Sequence, residues 1–110
     1  MRAFEKLHGR VALVTGAAKR LGRAVSLGLA EEGINLAVHY GKSAAAAHEL
    51  VKEIQKLGPE AAAFSAELSN VCAIQELVDS AVARFGHLDI LINCAANFLQ
   101  TKFGETTERT

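Results

Sequence analysis

The sequence predicts an α/β fold in which helices cover both faces of a parallel sheet. Short apolar runs alternate along the chain with longer segments whose apolar residues recur at helical spacing. Each of these longer segments ends at a glycine, as helices commonly do. Because strands joined by helices form right-handed crossovers, we expect one domain over residues 1–110 with the strand order 3-2-1-4.

The first strand and the first helix are separated by a glycine turn. The apolar run Val11–Thr15 is predicted to be a buried strand, and Gly16 opens the turn after it. Apolar residues then recur at helical spacing from about Leu21 to Glu32, and Gly33 ends that helix. A strand, a glycine turn and a helix in this order direct backbone N–H groups and a positive helix end at a phosphate. We therefore expect an anion-binding turn there.

Two further strands flank the second helix. Asn35–His39 is the second predicted strand, and Ala61–Ser65, which is rich in alanine, is the third. Ser43 can cap the helix between them, and Gly58-Pro59 ends it. The apolar face of this helix is predicted to consist of Ala47, Leu50, Val51, Ile54 and Leu57.

The third helix has the clearest periodicity. Ser69 or Asn70 can cap it, and Gly86 closes it. Its single apolar stripe is predicted to consist of Ile74, Leu77, Val78, Ala81, Val82 and Phe85. Leu88–Asn93 is the fourth predicted strand. The chain reverses direction in the sheet between strands 1 and 4, and ligands bind at the carboxyl ends of strands near such a point.

Composition limits the classes of partner. The chain has 12 basic and 12 acidic side chains, so no charge excess favours nucleic acid or a membrane surface. No apolar run approaches the length of a membrane span, and the N-terminus lacks the apolar segment of a signal peptide. Cys72 and Cys94 show no pairing pattern, and the histidines show no metal-ligand spacing. We expect a cytoplasmic protein without a metal.

The glycine turn resembles the fingerprint of the short-chain dehydrogenases/reductases. Thr15-Gly16 and Gly22 match Thr-Gly-x-x-x-Gly-x-Gly, with Arg20 where most members carry the middle glycine. The segments Gly-Ala-Ala-Lys-Arg-Leu-Gly-Arg and His-Tyr-Gly-Lys-Ser-Ala look like the pteridine reductase branch of that family. The resemblance covers nearly the whole chain but less than half of a complete member. It implies a Rossmann-type domain that binds a nicotinamide cofactor and is truncated after strand 4.

The end of strand 2 indicates which nicotinamide cofactor to expect. NAD-binding folds place an acid there, about 20 residues past the glycine turn, to bind the ribose hydroxyls. No acid occurs between Ile34 and Ala47, whereas Lys42 and Ser43 offer a cation, a hydroxyl and a backbone N–H group. A solvated lysine and a simple helix cap would explain the same two residues. Together with the turn and the resemblance to the NADP-binding segment of the reductases, they favour NADP(H).

The resemblance implies further contacts at the other strand ends. Glu67-Leu68 matches an Asp-Leu/Val pair whose acid accepts from the adenine amino group, although Glu67 is equally explained as a first-turn acid of the next helix. Asn93 and Ala95 match the family's Asn-Asn-Ala-Gly segment. The expected cofactor-binding residues are therefore Gly16, Lys19, Arg20, Leu21, Gly22, His39, Tyr40, Lys42, Ser43, Glu67, Leu68, Asn93 and Ala95.

Substrate contacts are implied for Arg20 and Phe98, and no catalytic residue is expected. In the pteridine reductases the corresponding arginine lies beside cofactor and substrate, and the phenylalanine stacks on the pterin ring. A position under the next helix is the equal alternative for Phe98. The family uses a tyrosine with a lysine four residues later, but the only tyrosine, Tyr40, is followed at that spacing by Ala44.

Two hypotheses of different classes follow. The first is the cofactor-binding half of an NADPH-dependent reductase that acts on a pterin or a carbonyl-type substrate. The second is a non-catalytic dinucleotide-binding module for sensing or partner regulation. A doubly wound domain without a dinucleotide would require the glycine turn to be a plain connection. In each case strand 4 is an apolar sheet edge with one charge, Asp89, so we expect self-association unless residues 97–110 cover it.

Overall fold

The computed structural model describes residues 8–69 and 71–94, in which strands and helices alternate as predicted. The strands are β1 (Val11–Thr15), β2 (Asn35–Tyr40), β3 (Ala61–Ser65) and β4 (Ile90–Asn93). The helices are α1 (Arg20–Glu31), α2 (Ala44–Lys56) and α3 (Val71–Phe85). None of these helices is long and apolar enough to cross a membrane.

The sheet is parallel and has the predicted order β3-β2-β1-β4. β1 lies between β2 and β4, and all of its residues are buried, as its uninterrupted apolar sequence predicts. Thr15 pairs with Asn93, and Tyr40 pairs with Ser65, so the strands end at nearly the same level. This fold is the Rossmann-type arrangement that the sequence predicts.

The larger part of the core lies between the sheet and helices α1 and α2. It contains Ala12 and Val14 of β1, Leu36 and Val38 of β2, Ala30 of α1, and Ala47, Leu50 and Ile54 of α2. The predicted apolar face of α2 is thus confirmed at its centre. Leu57 is the exception, because the helix ends at Lys56 and the Leu57 side chain is 47% exposed.

Helix α3 covers the other face of the sheet along a narrower strip than predicted. Leu77 and Ala81 are buried against Leu13 of β1 and Ala37 of β2. Val78 and Phe85 pack against this cluster, but Ile74 and Val82 are 36% and 38% exposed. Only part of the predicted apolar stripe is therefore buried among the described residues. The helix rests on the sheet through its central face, and these two side chains flank the contact.

β4 begins later than predicted because Asp89 is used to close the loop before it. The Asp89 carboxylate accepts from the Val11 N–H over 3.0 Å, and the Asp89 N–H donates to the Val11 carbonyl over 3.0 Å. The same carboxylate pairs with Arg10 at 3.5 Å and His87 at 3.1 Å. The single charge of the predicted fourth strand is therefore directed at β1, and Leu91 on β4 is 61% exposed.

Candidate cofactor-binding site

Four strands end at the same side of the sheet, which we call the carboxyl edge. It is formed by the last residues of the strands, Thr15, Tyr40, Ser65 and Asn93, and by the turns that follow them. Helices α1 and α2 both begin just beyond this edge, after the adjacent strands β1 and β2. The structure therefore brings the predicted site segments together where a doubly wound sheet binds its ligand.

The turn between β1 and α1 requires glycine at two positions. Gly16 has a φ of 65°, in the left-handed region that side chains disfavour. A Cβ on Gly22 would lie 2.8 Å from the Cα of Ala17 and would overlap the carbonyl oxygen of Gly16. Because Gly22 has no side chain, α1 can approach the turn closely. Both glycines identified in the sequence are therefore required by the backbone.

The turn itself offers a phosphate fewer N–H groups than the sequence predicts. The Gly16 N–H donates to Nδ1 of His39 over 2.9 Å, and the Ala17 N–H donates to the His39 carbonyl over 2.9 Å. In contrast, the N–H groups of Arg20 and Leu21 have no backbone acceptor among the described residues, as expected in the first turn of a helix. The Gly16 N–H is thus already bonded, whereas the N–H groups at the start of α1 are available to an anion.

The start of α1 carries two cations and no acid. Lys19 occupies the N-cap position without a side-chain capping bond, and Arg20 is the first helical residue. Both are exposed, and neither forms an ion pair with another described residue. Leu21 beside them is 66% exposed. Since cations are unfavourable at a positive helix end, this arrangement favours a bound anion.

His39 lies at the expected strand end, but its ring is not available as a phosphate ligand. The residue is 3% exposed, its Nδ1 accepts from the Gly16 N–H, and its Nε2 lies 2.9 Å from the Ala66 carbonyl oxygen. A carbonyl only accepts, so Nε2 carries the proton and the ring is neutral. Burial lowers the pKa of His39 below its ordinary 6.5, and the bond to Ala66 partly opposes this shift. The contacts that the structure shows for the His39 ring are with the turn and with Ala66, and the cofactor contact expected of this residue stays a prediction.

The start of α2 presents Lys42 and Ser43 to solvent. Ser43 occupies the N-cap position, but its hydroxyl makes no capping bond, so the predicted side-chain cap is wrong. Its ψ of 63° departs from the extended backbone that normally aims a cap at the helix. The Ser43 carbonyl instead accepts from the Ala47 N–H over 3.0 Å. Lys42 pairs with no acid in the described part of the chain, and the first turn of α2 contains none.

Tyr40, Glu67 and Leu68 lie at the β2 and β3 ends of the carboxyl edge. The half-buried Tyr40 ring lies 6.0 Å from the ring of His48, measured between centroids. Glu67 is exposed, whereas Leu68 packs against the cluster under α3. Because α3 begins only at Val71 and has no acid in its first turn, the alternative assignment of Glu67 to that turn is wrong.

Asn93 is held in place by Thr15, which is not among the expected site residues. The Thr15 hydroxyl donates to the Asn93 Oδ1 over 2.8 Å and accepts from the Cys94 N–H over 3.1 Å. This joins the ends of β1 and β4 through side chains as well as backbone. The position of Thr15 directly before the glycine turn was the sequence signal that could have identified it.

Two expected contacts, Ala95 and Phe98, lie outside the described residues. Cys94 is partly buried against the core under α1 and α2, and Cys72 is exposed on α3. Within residues 8–69 and 71–94, no cluster of three His, Cys, Asp or Glu side chains could hold a metal ion.

Comparison with known proteins agrees with this geometry. The family model described as short chain dehydrogenase matches residues 10–110. The chain belongs to the short-chain dehydrogenase family. One relative in that family, a short chain dehydrogenase of Emericella nidulans, is 42% identical over 103 residues, which are 94% of this chain and 39% of that protein. A hydroxynaphthalene reductase of Aspergillus fumigatus is 42% identical over 87 residues, which are 79% of this chain and 32% of that protein.

Solved structures of short-chain dehydrogenases share the fold. A dehydrogenase of Burkholderia cenocepacia with bound NADP has a TM-score of 0.76 and 40% identity, over 79% of this chain and 34% of its own. A short-chain dehydrogenase/reductase of Serratia marcescens has a TM-score of 0.76 and 37% identity, over 79% of this chain and 36% of its own. This short-chain dehydrogenase chain therefore spans about a third to two fifths of the length of these relatives.

Proposed function

We propose that the chain binds NADP(H) and forms the cofactor-binding half of an NADPH-dependent oxidoreductase. The observation that carries this proposal is a pair of helix N-termini at the carboxyl edge, those of α1 and α2. Neither N-terminus has a side-chain cap or an acid in its first turn. Lys19 and Arg20 lie at the start of α1 and Lys42 lies before α2, and none of them forms an ion pair with another described residue. Two positive sites beside adjacent strands suit a ligand with two separate phosphate groups.

The start of α1 is proposed to bind the pyrophosphate. The N–H groups of Arg20 and Leu21 lack backbone acceptors within the described residues, and the closely packed Gly22 keeps α1 against the turn. The exposed side chains of Lys19 and Arg20 add positive charge at the same place. Hydrogen bonds to ionised phosphate oxygens are stronger than neutral ones, and a positive helix end supports them.

The start of α2 is proposed to bind the 2′-phosphate that distinguishes NADP(H) from NAD(H). Lys42 supplies a cation, and the Ser43 hydroxyl is not engaged in capping the helix. An acid here would repel the phosphate, and none occurs from Ile34 to Ala47. Support also comes from the Burkholderia cenocepacia dehydrogenase that was solved with bound NADP. Glu67, Leu68 and Asn93 are proposed to contact the adenosine and nicotinamide ribose portions.

For the complete enzyme we propose hydride transfer to a pterin or carbonyl-type substrate, as in the pteridine reductase branch. The support for this branch is the sequence around Arg20 and the segment from His39 to Ala44. Arg20 would contact both cofactor and substrate, since its side chain is exposed at the turn. We assign no catalytic residue to this chain, because its only tyrosine, Tyr40, is half-buried against His48.

Calorimetric titration of the chain with NADPH and NADH tests the cofactor assignment. We expect the chain to bind NADPH more tightly than NADH. We expect Lys42→Ala to lower the affinity for NADPH by about ten-fold or more and to leave the affinity for NADH nearly unchanged. Lys52→Ala is the matched control, because Lys52 is an exposed lysine within α2 and away from its start. Equal affinities for the two cofactors, or an equal loss in both lysine variants, would contradict the assignment.

A further inference from the structure

His39 holds both peptide planes that flank Gly16. The plane before Gly16 donates its N–H to the ring nitrogen Nδ1, and the plane after it donates the Ala17 N–H to the His39 carbonyl. The torsion angles φ and ψ of Gly16 are the rotations between these two planes. The side chain and the main chain of one residue therefore fix Gly16 in its left-handed conformation.

The same ring connects the turn to the far side of β2. Nε2 donates to the Ala66 carbonyl directly after β3, and the Ala66 N–H donates to the Tyr40 carbonyl over 3.2 Å. The imidazole thus bridges the β1–α1 turn and the end of β3, across the strand that carries it. With 3% of the residue exposed, water does not compete effectively for these bonds.

Gly16 in turn positions the start of α1. Its carbonyl oxygen accepts from the Lys19 N–H over 3.2 Å and lies against Gly22, where a Cβ would overlap it. A rotation of the planes around Gly16 would move this oxygen and shift the first turn of α1. We propose that His39 is a positioning residue for the phosphate site, acting through Gly16 on the first-turn N–H groups of α1. This inference rests on the proposed NADP(H) binding.

Only a ring that accepts at Nδ1 and donates at Nε2 can form both the bond from the Gly16 N–H and the bond to the Ala66 carbonyl. A protonated imidazole presents an N–H at both nitrogens and would oppose the Gly16 N–H. Phenylalanine would fill a similar volume but leave the Gly16 N–H and the Ala66 carbonyl without these partners. Asparagine carries an acceptor at the δ position and can restore the bond to Gly16 alone. Burial, which lowers the pKa of His39, keeps the required neutral form at neutral pH.

The first test needs no variant and no cofactor. Long-range proton–nitrogen correlation spectra of the imidazoles in the 110-residue chain at pH 7.5 report which ring nitrogen carries the proton. We expect His39 to be neutral, with the proton on Nε2, and the Gly16 amide proton to show the shift of a hydrogen-bonded donor. A proton on Nδ1, or a ring that averages between tautomers, would overturn the proposal.

The second test compares NADPH affinity in matched variants. We expect His39→Phe to bind at least about ten-fold more weakly than wild type, equivalent to 1.4 kcal/mol. His39→Asn should recover part of the lost NADPH affinity, and its Gly16 amide proton should again show the shift of a hydrogen-bonded donor. His87→Asn is the control, since His87 lies with Asp89 at the opposite end of the strands and should bind as wild type does.

The outcomes separate the two proposals. A folded His39→Phe that binds NADPH as tightly as wild type overturns the positioning role, as does a His39→Asn that recovers neither affinity nor the amide shift. If His39→Phe does not fold, the positioning role is tested by the NADPH affinity and Gly16 amide shift of His39→Asn and by the His39 tautomer in the wild-type spectra. If wild type binds no NADPH, the proposed function fails and the positioning role fails with it. An Nε2 proton would then identify His39 only as a structural link.

Discussion

Gly22 and Gly28 lie on the same helix, α1, but in different surroundings. A Cβ at Gly22 would lie 2.8 Å from the Cα of Ala17 and overlap the Gly16 carbonyl, whereas a Cβ at Gly28 would meet no heavy atom within 4 Å. Alanine at Gly28 is therefore expected to stabilise the folded chain by about 1 kcal/mol through helix propensity. At Gly22 the same gain is opposed by overpacking of rigid backbone, which costs about 1–3 kcal/mol.

The difference between the two variants cancels the shared helix propensity and isolates the overlap at Gly22. We expect Gly22→Ala to be about 1–3 kcal/mol less stable than Gly28→Ala, measured by urea unfolding with far-ultraviolet circular dichroism. NADPH binding should weaken in Gly22→Ala and remain unchanged in Gly28→Ala, because only the first displaces the start of α1 from the turn. Equal unfolding midpoints in the two variants would refute the close packing of α1 on the turn.

Three further outcomes are expected. Because burial lowers the folded-state pKa of His39 below 6.5, the unfolded chain takes up the proton at a higher pH than the folded chain does. The free energy of unfolding should therefore fall as pH drops from 6.5 towards the folded-state pKa, by at most about 1.4 kcal/mol per pH unit. The same pH dependence of urea unfolding in wild type and His39→Asn would contradict this. The chain alone should show no NADPH oxidation with pterin, quinone or small carbonyl substrates, and turnover that survives repurification would reveal an acid that we have missed. Self-association through β4 should make the sedimentation coefficient rise with protein concentration. Leu91→Lys should reduce this association, since Leu91 is 61% exposed. A monomer at all concentrations would show that the exposed edge of β4 does not cause self-association.

Most of the fold could be predicted because its signals are local. The uninterrupted apolar run of β1, the periodicity of the helices and the glycines after them are encoded within a few residues of each other. The errors arose where a distant partner or the local backbone angles, and not the residue type, decided the outcome. The apolar residues around Asp89 predict that it belongs to the fourth strand. Its carboxylate instead binds the Val11 N–H at the start of β1, and β4 begins at Ile90. Ser43 suits a helix cap by its type, but its backbone angles do not aim the hydroxyl at α2.

For the candidate site, the sequence predicted the places of the residues better than their roles. Strand ends collect at one edge in any doubly wound sheet, so the positions of Lys42, Glu67 and Asn93 at the carboxyl edge follow from the order of elements. The roles of Thr15 and His39 do not follow, because both depend on partners far along the chain. Thr15 bonds Asn93, which no spacing rule links to it.

The sequence by itself determined the order of strands and helices, the glycines of the turn and the absence of an acid after β2, because backbone propensity and side-chain charge are properties of the local chain. Only the tertiary structure decided which N–H groups remain for an anion. The ring of His39, 23 residues after Gly16, takes the N–H that the motif directs at a phosphate and leaves those at the start of α1. A buried donor must be satisfied by whatever acceptor the fold brings to it, and that acceptor is chosen by packing in three dimensions.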